Sequence, residues 1–379
     1  MRTQGGTKLH SEKRKAKSGI DSLRLRSART AFRLGVTLIE LLITITIISI
    51  LSATFLGVSN LAMESAREAR TKSTIGKIHG LLMEKWAEYA TRRVDFDQGA
   101  VAMAGGSQRD QGMALADVRL LAVRELMKLE MPDRWSDVAL NSIPDSNPKS
   151  VAVGATTVLT ALPAITGTYR RKLNGLRDTV NGAPLNGQTV RENQGAECLY
   201  MIVMLTTGDG EARSLFSEQD IGDTDGDGAP EFLDGWGRAI EFVRWPAGFI
   251  SDFQPVDPVT ALRLPDQDHD PADVFRRDQV SVTIPPISAY PGSVQPAMQE
   301  IRNRHTTFML SAYRLVPLIY SRGPDGEADV VVDAEEVLRL DPYARSSVSN
   351  EQIATVFDTN NDGDNNSLDN IHNHLQDNR

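Results

Sequence analysis

Residues Val36–Val58 read VTLIELLITITIISILSATFLGV, 23 positions whose single ionisable side chain is Glu40. As a helix at about 1.5 Å per residue the stretch spans roughly 34 Å, enough for a hydrocarbon core of about 30 Å. Its many β-branched residues do not argue for strand, because only helices and closed barrels satisfy their backbone hydrogen bonds in lipid. A secretory signal peptide also pairs a basic head with an apolar core, but that core runs about 7–15 residues and ends at a small-residue cleavage site. This segment is longer, and it carries a carboxylate near its start. A carboxylate in lipid costs at least a few kcal/mol and is normally kept for a partner. Glu40 is therefore the residue the rest of the chain has to explain.

The flanks orient the segment. Residues 1–35 hold ten Lys/Arg against Glu12 and Asp21, a net of +8, so with −9 on the whole 379-residue chain residues 36–379 carry −17. Only Arg67, Arg70, Lys72 and Lys77 follow within the next twenty residues. The positive-inside rule then places the basic head in the cytoplasm and the acidic body across the membrane. An acidic body disfavours a phosphate-tracking surface, so no nucleic acid is expected, and it suits cations. A lone Cys198 excludes an intrachain disulfide, a CxxC redox centre and a thiolate zinc cluster.

The string RLGVTLIELL at Arg33–Leu42 resembles the processing motif of type IV prepilins and type II secretion pseudopilins: a basic leader, Gly, an apolar first residue, then Glu at the fifth mature position. Val36 stands where the family usually has Phe. The resemblance implies that a prepilin peptidase cuts after Gly35 and methylates the new amine of Val36. It implies an inner-membrane, single-pass protein with its head in the periplasm, which an assembly platform then polymerises with its own copies or other pseudopilins. Physics agrees with that role for Glu40. The Val36 amine in lipid can be neutralised by Glu40 of a neighbouring subunit, gaining on the order of 4 kcal/mol at about 4 Å and an effective dielectric near 20.

Outward from the membrane, Ile75, Ile78, Leu82, Trp86 and Tyr89 recur at helical spacing, so the helix is expected to continue to Arg93 with this stripe packed on a head. Gly57 offers a mild weak point along it. Between Val94 and Gln194 the spacing predicts a helix over Ala114–Leu129, stopped near Pro132, with loops or a hairpin over Pro144–Pro148 and Gly167–Gly187. A further helix is expected over Glu192–Leu205, and strands over Ala239–Arg244, Val280–Ile284, Arg314–Tyr320 and Asp329–Val332.

Two acidic loops carry candidate chemistry. DTDGDGAPEFLD fits a twelve-residue calcium-loop pattern, with Asp223, Asp225 and Asp227 at alternate positions, Gly228 at the turn, the Ala229 carbonyl and Asp234 last. Asp234 is shorter than the usual Glu, Pro230 stands where an apolar residue is expected, and an acidic turn without an ion is the competing reading. DTNNDGDNNSLD is a second match, with Asp358, Asn360, Asp362, the Asp364 carbonyl and Asp369, against a polar tail as the alternative. His372 and His374 read as an exposed tail pair, and Asp266, Asp268 and Asp270 lack a turn glycine.

LDGWGRAIEF at Leu233–Phe242, PLIYSRGPDGEADVVV at Pro317–Val332 and SLDNIHNH at Ser367–His374 are similar to segments of the major pseudopilin of type II secretion. That resemblance implies calcium held by a late loop, with Ser321, Asp325, Asp329 and Asp369 as an alternative ligand set.

No GxSxG, HExxH, GxxxxGK[ST] or GxGxxG pattern occurs, and the paired carboxylates have loop spacing, so no enzymatic activity is expected. The expected organisation is α+β. A basic leader (1–35) precedes a transmembrane and filament-core helix (36–58) and its continuation packed on the head (59–93). An inserted α-rich region (94–200) then leads into an antiparallel, pseudopilin-like β-rich head (201–379) with calcium-type loops. The expected function is a pseudopilin-like structural subunit of a type II secretion pseudopilus or related type IV filament for protein export. The alternatives are a membrane-anchored calcium-dependent binding module that never polymerises, and a type IV pilin for adhesion or DNA uptake.

Overall fold

The computed structural model describes residues 36–138, 158–176, 193–206, 211–256, 269–278, 284–308, 313–332, 340–343, 345–346, 350–356 and 369–375. The chain divides into two compact units, Met1–Val58 and Ser59–Arg379. The helices are α1 (Leu38–Glu88), α2 (Gln98–Met103), α3 (Gln108–Glu130), α4 (Ala164–Gly175), α5 (Gln194–Thr206), α6 (Glu211–Leu215) and α7 (Gln295–Phe308). The strands are β1 (Ile221–Gly222), β2 (Glu231–Phe232), β3 (Glu241–Val243), β4 (Leu318–Ser321) and β5 (Ile371–His372). This is an α+β layout, with one long apolar N-terminal helix and two small antiparallel sheets, β1-β2 and β3-β4-β5.

In the first unit α1 is apolar all round, and every side chain of residues 36–58 is exposed. Such a helix is long and apolar enough to cross a membrane. Its hydroxyls do not stand against that. Thr44 donates to the Leu41 carbonyl at 2.9 Å, Thr46 to Leu42 at 2.8 Å and Ser49 to Ile45 at 2.8 Å, so these polar groups are satisfied within the helix. The helix runs through Gly57 without a break.

In the second unit the remainder of α1 supplies one wall of the core. Ile75, Ile78, Leu82 and Tyr89 of the expected stripe are buried and Trp86 packs partly buried against them. Burial of Ile75, Ile78 and Leu82 stabilises by about 2 kcal/mol each. The helix ends at Glu88, five residues short of Arg93, in a turn closed by bonds from Tyr89 and Thr91 to the carbonyls of Trp86 and Glu88.

α3 begins six residues before the expected Ala114. Ser107 and Asp110 form a reciprocal capping box there, with the Asp110 carboxylate accepting from the Ser107 N–H at 3.0 Å. It ends at Glu130, next to Pro132. α5 falls within two residues of the expected span and packs against β2 and β3. The loop or hairpin expected over Gly167–Gly187 is overturned in its first half, where α4 forms. Thr166, Tyr169 and Leu173 lie on one helical face and are buried, and that burial outweighs the cost of about 1 kcal/mol for each of the two glycines. Residues 177–187 and Pro144–Pro148 lie outside the described residues.

β3 falls inside one expected strand and β4 overlaps another, running one residue past Tyr320 to Ser321; the two pair antiparallel, with Glu241 opposite Tyr320 and Val243 opposite Leu318. β5 completes the sheet, placing Ile371 opposite Ser321. The strand expected at Asp329–Val332 is instead an isolated bridge between Val330 and Val356, because Asp329 takes a φ of 45° that an extended strand excludes. Ile284 is in no strand, and 280–283 lie outside the described residues. One apolar cluster joins α1, α3, α5 and the sheet, through Leu82, Leu121, Leu199, Phe242 and Ile319 among others.

Candidate metal centre

The acidic loop after β1 is shaped by its own side chains. Asp223 accepts from the N–H groups of Gly226 at 2.7 Å, Asp227 at 3.1 Å and Gly228 at 3.0 Å. Asp227 accepts from Ala229 at 2.7 Å. Gly226 and Gly228 hold φ of 76° and 94°, values that a side chain would strain, which is why this turn takes glycine at both.

Five carboxylates result in close reach. Ligand oxygens of Asp223, Asp225 and Glu231 lie within 4.8 Å of one another, and so do those of Glu197, Asp225 and Asp227. Asp223 and Asp225 face solvent, while Glu197, Asp227 and Glu231 are buried. Glu231 accepts from the Thr224 N–H at 3.0 Å, and Glu197 accepts from the Trp135 indole. Burial, followed by the charges of Asp225, Glu197 and Asp223, pushes the Glu231 carboxyl up to about 7. An all-oxygen set of this kind suits a hard cation such as calcium, which takes six to eight oxygens.

Asp234, expected to close this loop, is engaged elsewhere. Its carboxylate accepts from the N–H groups of Trp236 at 2.8 Å and Arg238 at 2.9 Å and from the Ser321 hydroxyl at 2.7 Å. It shapes the turn that docks on α1, where the Gly235 N–H donates to Thr71 Oγ1 at 2.8 Å and Trp236 Nε1 to Glu64 at 2.9 Å. In its place stands Glu231, the ninth position of the pattern and legible in the sequence. Glu197 comes from α5, and no spacing rule points to it.

The alternative set is not gathered in the same way. Ser321 is committed to Asp234, and Arg238 bonds the Gly323 carbonyl at 2.6 Å and the Pro324 carbonyl at 3.3 Å across the late loop. Asp325 accepts from the Glu327 N–H at 2.9 Å, and Asp329 is buried. Asp369 has its carboxyl raised by burial and by Asp325. Among the described residues the acidic triads are those of the first loop alone. Asp358, Asn360, Asp362 and Asp364 lie outside the described residues, as do Asp266 and Asp268. Asp270 faces Arg124 at 3.6 Å.

The histidine pair is not an exposed tail. His374 is buried, with Nδ1 2.7 Å from Ser251 Oγ and Nε2 3.2 Å from the Val316 carbonyl. His372 and His374 pack edge-on against Phe249, and burial pushes both down to about 4. Aromatic packing against Phe249 and Phe253 pulled these residues inward, a contact that the polar flanks of the sequence conceal.

At the start of the long apolar helix, Gly35 lies outside the described residues and Val36 is exposed. Glu40 closes a capping box with Thr37. Its carboxylate accepts from the Thr37 N–H at 2.9 Å and hydroxyl at 3.1 Å, while Thr37 Oγ1 accepts from the Glu40 N–H at 3.2 Å. No family model, curated protein or solved structure matches this chain.

Proposed function

We propose that this chain is a pseudopilin-like structural subunit. It is inserted with its basic head in the cytoplasm, cut after Gly35 by prepilin peptidase, and assembled through the apolar part of α1 into a type II secretion pseudopilus or related type IV filament. The observation that carries this reading is the string RLGVTLIELL, set at the start of an apolar helix whose side chains are all exposed through Val58. Its role is mechanical, with no catalytic residues.

The capping box gives Glu40 a local task that competes with assembly, and two variants separate the tasks. Thr37→Val and Glu40→Ala each weaken the cap by about 1 kcal/mol. If Glu40 serves assembly through its charge, cross-linked polymer in native membranes is lost in Glu40→Ala and kept in Thr37→Val. Equal loss in both would leave Glu40 a cap and remove its assembly role.

Calcium belongs to the same proposal. Asp223, Asp225, Asp227, Glu231 and the Ala229 carbonyl would hold it, with Glu197 behind, and its charge would offset the repulsion among these carboxylates. Calcium at 100 times its Kd should stabilise the body by about 2.7 kcal/mol, raising Tm by about 5 °C. Asp225→Asn, which removes the carboxylate common to both triads, should abolish the shift. The folded Glu231 carboxyl titrates near 7 against an ordinary 4.5. Without calcium its contribution is favourable below the unfolded value and is lost as pH rises through 7. With calcium the carboxylate is the binding form, so the Tm gain is full above pH 7 and fades toward pH 6. A calcium shift that is flat across this range would contradict the assignment of Glu231.

A further inference from the structure

The turn Asp273–Asp278 (DVFRRD) is fastened at both ends and presents its middle to solvent. The Asp273 carboxylate accepts from the N–H groups of Arg277 at 2.8 Å and Asp278 at 2.9 Å. Arg277 pairs with Asp117 of α3, and Asp278 with the buried Arg124 of the same helix. Between these anchors Val274 and Phe275 are 57% and 58% exposed. Arg276 holds a φ of 50°, a backbone region that costs such a residue about 1 kcal/mol. Two ion pairs thus hold a strained turn that displays an apolar pair.

Cations frame the pair. The Arg119 guanidinium of α3 lies 5.8 Å from the centre of the Phe275 ring. Neither Arg119 nor Arg276 has a carboxylate partner among the described residues. Guanidiniums with no carboxylate partner among the described residues, set beside an exposed aromatic, are unexpected on a chain whose residues 36–379 carry −17. Exposed Phe275 and Arg276 beside half-buried Arg119 have the composition of interface anchors.

We propose that Val274, Phe275, Arg276 and Arg119 form a docking knob for the acidic surface of a second copy of this chain. Charge complementarity selects that occupant, because residues 36–379 of the chain carry −17 and a basic aromatic knob is drawn to a body of that charge. The contact is heterologous, knob against a different patch, and heterologous contacts build open polymers wherever their rotation does not close into a ring, while self-complementary ones close as dimers. The inference deepens the assembly reading and rests on it. It adds a head-to-head-surface contact distinct from the packing of α1, and it lowers the repulsion between bodies of like charge.

The test places a photo-crosslinking amino acid at position 275 of the full chain in native membranes. The expected product is an adduct of two copies of the chain, its yield falling about tenfold in Arg119→Glu with Arg276→Glu and falling again at 0.5 M salt, as about a 4 Å Debye length predicts. Val274→Ser, a milder change at an exposed site, should lower the yield about threefold with an unchanged unfolding midpoint, which separates lost contact from lost fold. Adducts only to lipid, only to a different protein, or of undiminished yield in the charge-reversed variant would overturn the proposal. The N-terminus is sequenced in the same samples. A chain starting at Val36 without the adduct defeats the knob alone, and an adduct on a chain starting at Met1 defeats the processing reading alone.

Discussion

Arg124→Met is expected to destabilise the body by about 4 kcal/mol, read as a lower midpoint in urea unfolding. Arg124 is buried on α3, paired with Asp278 and 3.6 Å from Asp270. Burial alone would lower the guanidinium's pKa, but the two carboxylates hold it more firmly protonated than usual. Removing it leaves two acidic groups in a site built for their neutralisation, which costs far more than the net value of the ion pairs. The double variant Arg124→Met with Asp278→Leu should therefore recover a large part of the loss. No recovery would mean that Arg124 matters for shape and packing, including its contact 5.9 Å from the Tyr343 ring centre, and not for charge.

Gly235→Ala is expected to cost about 3 kcal/mol and to expose Trp236. A Cβ at this position would sit against the Arg67 carbonyl oxygen, 2.6 Å from the Arg67 Cα and 2.7 Å from its carbonyl carbon. These are helix backbone atoms and cannot swing away. The turn must lift from α1, breaking the bonds to Thr71 and Glu64. A red shift of tryptophan emission would accompany the lower unfolding midpoint. Gly112→Ala serves as the opposite control, since it lies within α3 with no atom within 4 Å of its Cβ and should stabilise by about 1 kcal/mol. Equal effects at the two glycines would show that Gly235 is not held by contact with α1.

The regular parts of the fold were legible where a period or a cap is local. The stripe Ile75, Ile78, Leu82, Tyr89 announces the core face of α1, and α3, α5, β3 and β4 follow from apolar runs bounded by Pro, Gly and Asp. α4 was hidden because two glycines signal a loop, while the burial of Tyr169 and Leu173 that overrides them comes from distant chain segments. The acidic loop was legible in Asp223, Asp225 and Asp227, whose alternate spacing is set within six residues. Asp234 was misplaced since the spacing says nothing of the α1 surface on which its turn docks. Glu197 reaches the loop only because α5 packs on β2 and β3. The burial of His372 and His374 is likewise a tertiary fact, owed to Phe249 and Phe253 more than a hundred residues upstream.

The measurement that bears most directly on the central claim is the intact mass and N-terminal sequence of the protein purified from native membranes. The account predicts a chain that begins at methylated Val36 and retains the whole apolar segment. A chain that begins at Met1, or one cut beyond Val58, would contradict it and leave an anchored or secreted cation-binding module.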